Sequence, residues 1–194
     1  MGTIVVNTNL TLDGVVQDPT GDEEFSRGGW FDSTVGPDRS AWAEVEADEA
    51  EATAAILMGR RSYDWFASRW QERPGTWADR LRAVPKYVVT SRTDGLGWDN
   101  TTVLDGDPVE AVKRLRDEVE GDVVVYASRQ LVQTLLDHDL VDELRLIVLP
   151  TVLGAGSRLF GETAAPVPVR LTDARMIGDG LAFLTYAVVS PQPA

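Results

Sequence analysis

The chain has 194 residues, with 18 Lys plus Arg against 31 Asp plus Glu and a net charge of −13 at pH 7. So acidic a surface repels nucleic acid and anionic lipid, and neither is expected as a partner. No cysteine and a single histidine, His138, exclude disulfides, thiolate chemistry and multi-histidine metal centres, so no metal site is expected.

In chain order, Thr3–Leu10 predicts a buried first strand, broken at the turn dipeptide Asp13-Gly14. The first basic residue is Arg27, so no signal-peptide n-region is expected. Residues 17–40 are rich in Gly, Asp, Ser and Pro around Trp30 and Phe31. They predict a long loop of the kind that carries function. Asp38–Thr53 predicts a helix with Ala41, Trp42, Val45 and Ala52 on one face. Its acids Glu44, Glu46, Asp48, Glu49 and Glu51 read as a solvated face. Ala54–Met58 reads as a strand running into Gly59, and Ser62–Ser68 as a short helix. Lys86–Thr90 and Thr101–Leu104 are further strands. Asp107 and Pro108 form an N-cap and N1 pair for a helix to about Glu120. Asp122–Tyr126 is a strand, and Ser128 is the expected cap of a helix to Asp137, with His138 at its end. Glu143–Leu149 ends at Pro150. Val169–Ile177 and Leu181–Val189 flank Gly178-Asp179-Gly180 as a closing hairpin.

Strands alternating with helices, then two final strands, predict an α/β sandwich with a largely parallel sheet and an antiparallel C-terminal edge. The whole chain, residues 1–194, reads as one domain. No apolar run exceeds five residues, so no membrane span is expected and a cytoplasmic setting is.

Chemistry-bearing residues recur where strands end. Gly59-Arg60-Arg61-Ser62 leads from a strand into a helix start, where free N–H groups and guanidinium groups suit a phosphate. Thr90-Ser91-Arg92 places hydroxyls and an arginine after another strand. Ala127-Ser128 leads from a third strand into a helix. Singly, each also reads as an ordinary polar junction. Together they predict one crevice with several anion-binding points, sized for a dinucleotide. Neither a GxGxxG nor a Walker loop is present.

Thr11–Gly14 (TLDG), Ile56–Phe66 (ILMGRRSYDWF), Val88–Arg92 (VVTSR) and Leu140–Phe160 resemble the dihydrofolate-reductase-like superfamily. The nearest branch is the reductase domain of the bifunctional riboflavin-biosynthesis deaminase-reductase, and without cysteines to hold a deaminase's zinc a stand-alone reductase-type domain is expected. The resemblance implies a dihydrofolate-reductase-like sheet of about eight strands, NADPH as cofactor and a homodimer. It also implies pyrophosphate contacts from Gly59, Arg60, Arg61 and Ser62. Thr90, Ser91 and Arg92 would hold the adenosine 2′-phosphate, Asn9 would lie on the nicotinamide side, and Trp30 would close the site. Two departures stand out. Ala127-Ser128 replaces the family's Gly-Gly or Gly-Ser pair, and the position matching the folate-binding carboxylate falls near Ala43, which argues against folate reduction.

The expected function is an NADPH-dependent reductase passing hydride to a small pterin- or aminopyrimidine-like heterocycle held near Asn9, Asp13, Trp30 and Phe31. The rival is a non-catalytic dimeric dinucleotide-binding module. Glu49, between Trp42 and Val45 on the helical wheel, is the expected proton donor, with Asp13 as a second site acid. Leu144, Leu146, Val148, Leu181, Phe183 and Tyr186 are the expected apolar dimer face.

Overall fold

The β-branched runs of the sequence assemble into one eight-stranded sheet in the computed structural model, which describes residues 1–163 and 165–189. The strands are β1 Thr3–Thr11, β2 Thr53–Gly59, β3 Lys86–Val89, β4 Thr101–Leu104, β5 Asp122–Tyr126, β6 Glu143–Leu149, β7 Val169–Ile177 and β8 Leu181–Val188. Their order across the sheet is β4-β3-β2-β5-β1-β6-β8-β7. The first six run parallel, and β8 and β7 complete the sheet antiparallel. This is the dihydrofolate-reductase-like architecture expected from the sequence.

The helices are α1 Trp30–Val35, α2 Arg39–Ala52, α3 Arg60–Trp70, α4 Thr76–Ala83, α5 Pro108–Glu118 and α6 Arg129–Asp137. Alternation along β1 divides its side chains between two faces. Ile4, Val6 and Leu10 join Val112, Leu115, Val132 and Leu135 of α5 and α6. Val5 points the other way, into a cluster with Tyr63 of α3 and Leu81 of α4. A third cluster, of Trp30, Phe31, Ile147, Leu149, Leu181 and Phe183, lies under α1 and α2. No helix among the described residues is long and apolar enough to cross a membrane.

Two helices were not legible in the sequence. α1 lies inside the expected 17–40 loop, and α4 lies in a stretch with no assigned element. α1 forms because Trp30, Phe31 and Val35 are buried, so tertiary packing offsets its Gly-rich, Pro-rich flanks. At α5 the expected cap is present: Asp107 accepts from the N–H groups of Val109 and Glu110, both at 3.0 Å. Ser128, in contrast, does not cap α6. It adopts φ 51°, and its hydroxyl accepts from the Gly59 N–H at 3.1 Å. His138 is the C-cap residue of α6.

Candidate functional site

Because β2 and β5 are neighbours, the junctions that follow them meet. The Ser62 hydroxyl accepts from the Ser128 N–H at 2.9 Å, while the Ser128 hydroxyl accepts from Gly59. This reciprocal pair sets the start of α3 beside the start of α6. Unlike α5, neither helix has a side-chain cap, so first-turn N–H groups at both starts remain for a ligand. A Cβ built on Gly59 would meet nothing within 4 Å, so the backbone there lines open space. A phosphate fits such a ledge.

The arginines around the ledge differ in freedom. Arg60 Nε donates to both carboxylate oxygens of Asp64, at 2.8 and 3.0 Å, and its Nη1 reaches the Arg92 carbonyl at 3.1 Å. Arg60 thus ties α3 to the loop after β3 and brings Thr90, Ser91 and Arg92 to the same side of the sheet. The Arg92 N–H donates to the Thr90 hydroxyl at 3.0 Å, and Ser91 and Arg92 are exposed. Arg61 is exposed and forms an ion pair at 2.7 Å with Glu23 from the loop ahead of α1. The ledge gathers Gly59, Arg60, Arg61, Ser62, Thr90, Ser91, Arg92, Ala127 and Ser128 as three consecutive strand ends. Ala127 is exposed with φ 50°, a left-handed conformation that disfavours a side chain and suits glycine.

The substrate-side expectations need correction. Trp30 and Phe31 do not face an open site: they are 3% and 8% exposed and belong to the core. Trp30 is the apolar anchor of α1 and its indole N–H donates to the Gln17 carbonyl at 2.8 Å. The aromatic side chain that meets Asn9 is Trp42. Its ring meets Phe31 edge-on at 4.9 Å, and its indole N–H donates to Asn9 Oδ1 at 2.9 Å. That contact fixes the Asn9 amide on the sheet face beneath α2.

Asp13 does not lie free for chemistry either. It accepts from the Thr11 hydroxyl at 2.7 Å and from the N–H groups of Leu153 and Gly154 at 3.1 and 2.9 Å. The Thr11 hydroxyl bond, with these two N–H groups, lowers its pKa to about 2 against an opposing desolvation effect. Asp13 is an ionised clamp between the end of β1 and the 152–158 loop, not a proton donor.

Glu49 is also engaged. Its Oε2 receives Arg145 Nη1 at 2.8 Å, an ion pair of two mostly buried side chains. A second acid, Glu46, lies one turn earlier on α2 and is 5% exposed. Burial, with the nearby Glu49 charge, pushes its carboxyl up to about 8, while the Asn9 amide acts in the opposite direction. The acidic run hid it. Glu44, Asp48 and Glu51 are solvated as expected, but Glu46 is not.

Asn7 was also missed. It is in register with Tyr126 on one side and Arg145 on the other. Both of its amide atoms and the Tyr126 hydroxyl are buried without a partner among the described residues. An unpaired buried polar atom costs about 1–3 kcal/mol, a cost that a ligand or water can offset. The available signal was the alternation Asn7-Thr8-Asn9 inside an otherwise apolar strand.

Comparison with known proteins agrees with this fold. The uncharacterized protein YyaP of Bacillus subtilis strain 168 is 27% identical over 188 residues, covering 94% of this chain and 93% of YyaP. Among solved structures, a pyrimidine reductase-like protein from Corynebacterium diphtheriae has a TM-score of 0.66 at 13% identity, covering 97% of this chain and 92% of its own. Enterococcus faecalis dihydrofolate reductase, solved with NADP(H), has a TM-score of 0.62 at 14% identity, covering 96% of both chains. Acinetobacter baumannii RibD matches at a TM-score of 0.64 and 16% identity over 97% of this chain but only 58% of its own. The model of the RibD C-terminal domain matches residues 2–183, and with it the chain belongs to the RibD C-terminal domain family.

Proposed function

We propose that this protein is an NADPH-dependent reductase of a small aminopyrimidine- or pterin-like heterocycle. The observation that carries the reading is the placement, on one sheet, of a phosphate-suited ledge at the ends of β2, β3 and β5 and of a buried carboxyl, Glu46 of α2, beside Asn9 of β1. The uncapped N–H groups of α3 and α6, with Arg61 and Arg92, would hold the cofactor's phosphates. When bound, NADPH supplies the hydride.

The chain's own residues supply the proton and the placement. Glu46 holds a proton near neutrality, which suits a general acid. Trp42 fixes Asn9 by its Oδ1, leaving the amide nitrogen to orient Glu46 or a substrate acceptor. Asn7 offers a donor and an acceptor that a heterocycle edge would satisfy. Asp13 holds the loop that borders the end of β1.

Fluorescence titration with NADPH and NADH tests the cofactor half. NADPH is expected to bind more tightly, and Arg92→Ala to weaken NADPH about tenfold while leaving NADH nearly unchanged. Equal loss for both cofactors would remove Arg92 from 2′-phosphate recognition. NADPH oxidation against a panel of pterins and aminopyrimidines tests the chemistry. Binding without oxidation by any of them would favour a dinucleotide-binding module instead.

A further inference from the structure

Helix α2 presents two acids to the sheet one turn apart, and the sheet answers them with one cation. Arg145 of β6 donates Nη1 to Glu49 at 2.8 Å, Nη2 to Asp122 at 2.7 Å and Nε to Glu143 at 2.7 Å. These four side chains are between 15% and 26% exposed. One guanidinium against three carboxylates leaves an excess of negative charge before Glu46 is counted.

The groups facing Glu46 do not relieve that excess. β1 contributes the neutral Asn9, β5 the Tyr126 hydroxyl, and α2 itself Glu49. Arg80 of α4, the nearby cation on that side, is spent on the carbonyls of Ala50, Glu51 and Thr53. A second charge on α2 would therefore sit buried, beside a like charge and without a cation of its own.

We propose that the Arg145–Glu49 ion pair is a positioning device that assigns the proton of the site to Glu46. Arg145 holds Glu49 in an ion pair, and the Glu49 carboxylate, one turn away, adds to burial in keeping the proton on Glu46. Two acids on one helix face thereby take separate roles, one an ion and one an acid. The upward displacement of the Glu46 carboxyl by burial and by Glu49 is in line with this division. The inference rests on Glu46 being the acid of the site, as read above, and makes Glu49 and Arg145 positioning residues.

The test is the titration of glutamate carboxyl carbons by NMR in the ligand-free full chain, which needs no substrate. One glutamate of the unsubstituted protein is expected to titrate near pH 8, and Glu46→Gln should remove that signal. Glu49→Gln should lower its midpoint by about one to two pH units, the size expected for a unit charge about 6 Å away at an effective dielectric constant near 20. Asp122→Asn breaks another of Arg145's ion pairs without touching α2, and should move the midpoint far less. Should Glu49→Gln not fold, Arg145→Met is read instead, and a second glutamate should then titrate in the neutral range.

An unchanged or raised midpoint in Glu49→Gln overturns the inference. So does an equal fall in Asp122→Asn, which would mark a general loosening. In the unsubstituted protein, no glutamate titrating above pH 6 would overturn both this inference and the acid role of Glu46. A midpoint that falls as stated in a protein that reduces no heterocycle would uphold the ion pair's role and overturn only the proposed activity.

Discussion

At the scale of single residues, Glu46 makes stability depend on pH. Its carboxyl titrates near 8 in the folded chain and at its ordinary 4.5 when unfolded. The folded state therefore binds the extra proton between those values, and stability falls as pH rises through that window. The slope from one such group is at most about 1.4 kcal/mol per pH unit. Glu46→Gln carries no titrating group and should flatten the fall, gaining on the unsubstituted protein in urea midpoints at pH 8 relative to pH 5. An equal fall in both proteins would place the effect elsewhere. Ala127 offers a second reading at this scale, since it and Ser128 are consecutive left-handed residues. Ala127→Gly should raise stability by about 0.5–1 kcal/mol, the relief of the left-handed strain less the greater freedom of glycine when unfolded. A melting temperature that falls would show that the methyl contributes packing instead. Part of this was legible in advance. Gly59, Ser62 and the three strand ends followed from residue type and order. Glu46 did not, because five acids within eight positions read as a solvated face. On the helical wheel it lies between Trp42 and Ala50, so the stripe that selected Glu49 admits Glu46 on its other flank.

At the scale of elements, α4 shows how a buried charge can finish a helix. Lys86 of β3 is fully buried, and its ammonium donates to the carbonyls of Leu81 at 2.7 Å, Arg82 at 3.2 Å and Val84 at 2.8 Å, beneath the Trp98 ring at 4.7 Å. A cation at a helix C-terminus satisfies carbonyls left without intrahelical partners, although burial pulls this one down to about 8. Lys86→Met keeps the bulk and strands those carbonyls, so a loss of about 2–4 kcal/mol is expected by chemical denaturation. A loss below about 1 kcal/mol would mean that water replaces the ammonium. The lysine read as an ordinary strand start in the sequence because its partners are carbonyls, which carry no residue-type signature. The same limit concealed α1. Its sequence is turn-like, and only the distant Ile147, Leu181 and Phe183 make Trp30 and Phe31 a helix face. The strands were legible because their β-branched runs are local, and α5 because its cap and Pro108 adjoin it.

At the scale of the whole molecule, the sheet outruns its helices. α5 and α6 cover one face of its middle, but on that face β7 exposes Val169, Leu171 and Met176. Their cross-strand partners on β8 are Val188, Tyr186 and Ala182. Of the residues expected to form a dimer face, Leu144, Leu146, Leu181 and Phe183 are core, and Val148 and Tyr186 stay partly buried. The dimer remains a proposal, now placed on the β7–β8 ribbon. Light scattering at micromolar concentration should report twice the chain mass, and Leu171→Glu with Met176→Lys should return it to one. A monomeric unsubstituted protein would overturn the proposal.

The same strand order governs how the chain can be made. β1 leaves the ribosome first, yet it lies between β5 and β6, whose residues begin at Asp122 and Glu143. Both of its hydrogen-bonding edges therefore wait, unpaired, through the synthesis of α1 to α5 and three other strands. β2, β3 and β4 can pair with one another as they emerge, but β1 joins them only when the late central strand β5 arrives between it and β2. A nascent chain stalled before Asp122 exposes an apolar strand with two open edges, so it is this intermediate, rather than the finished protein, that most needs a chaperone.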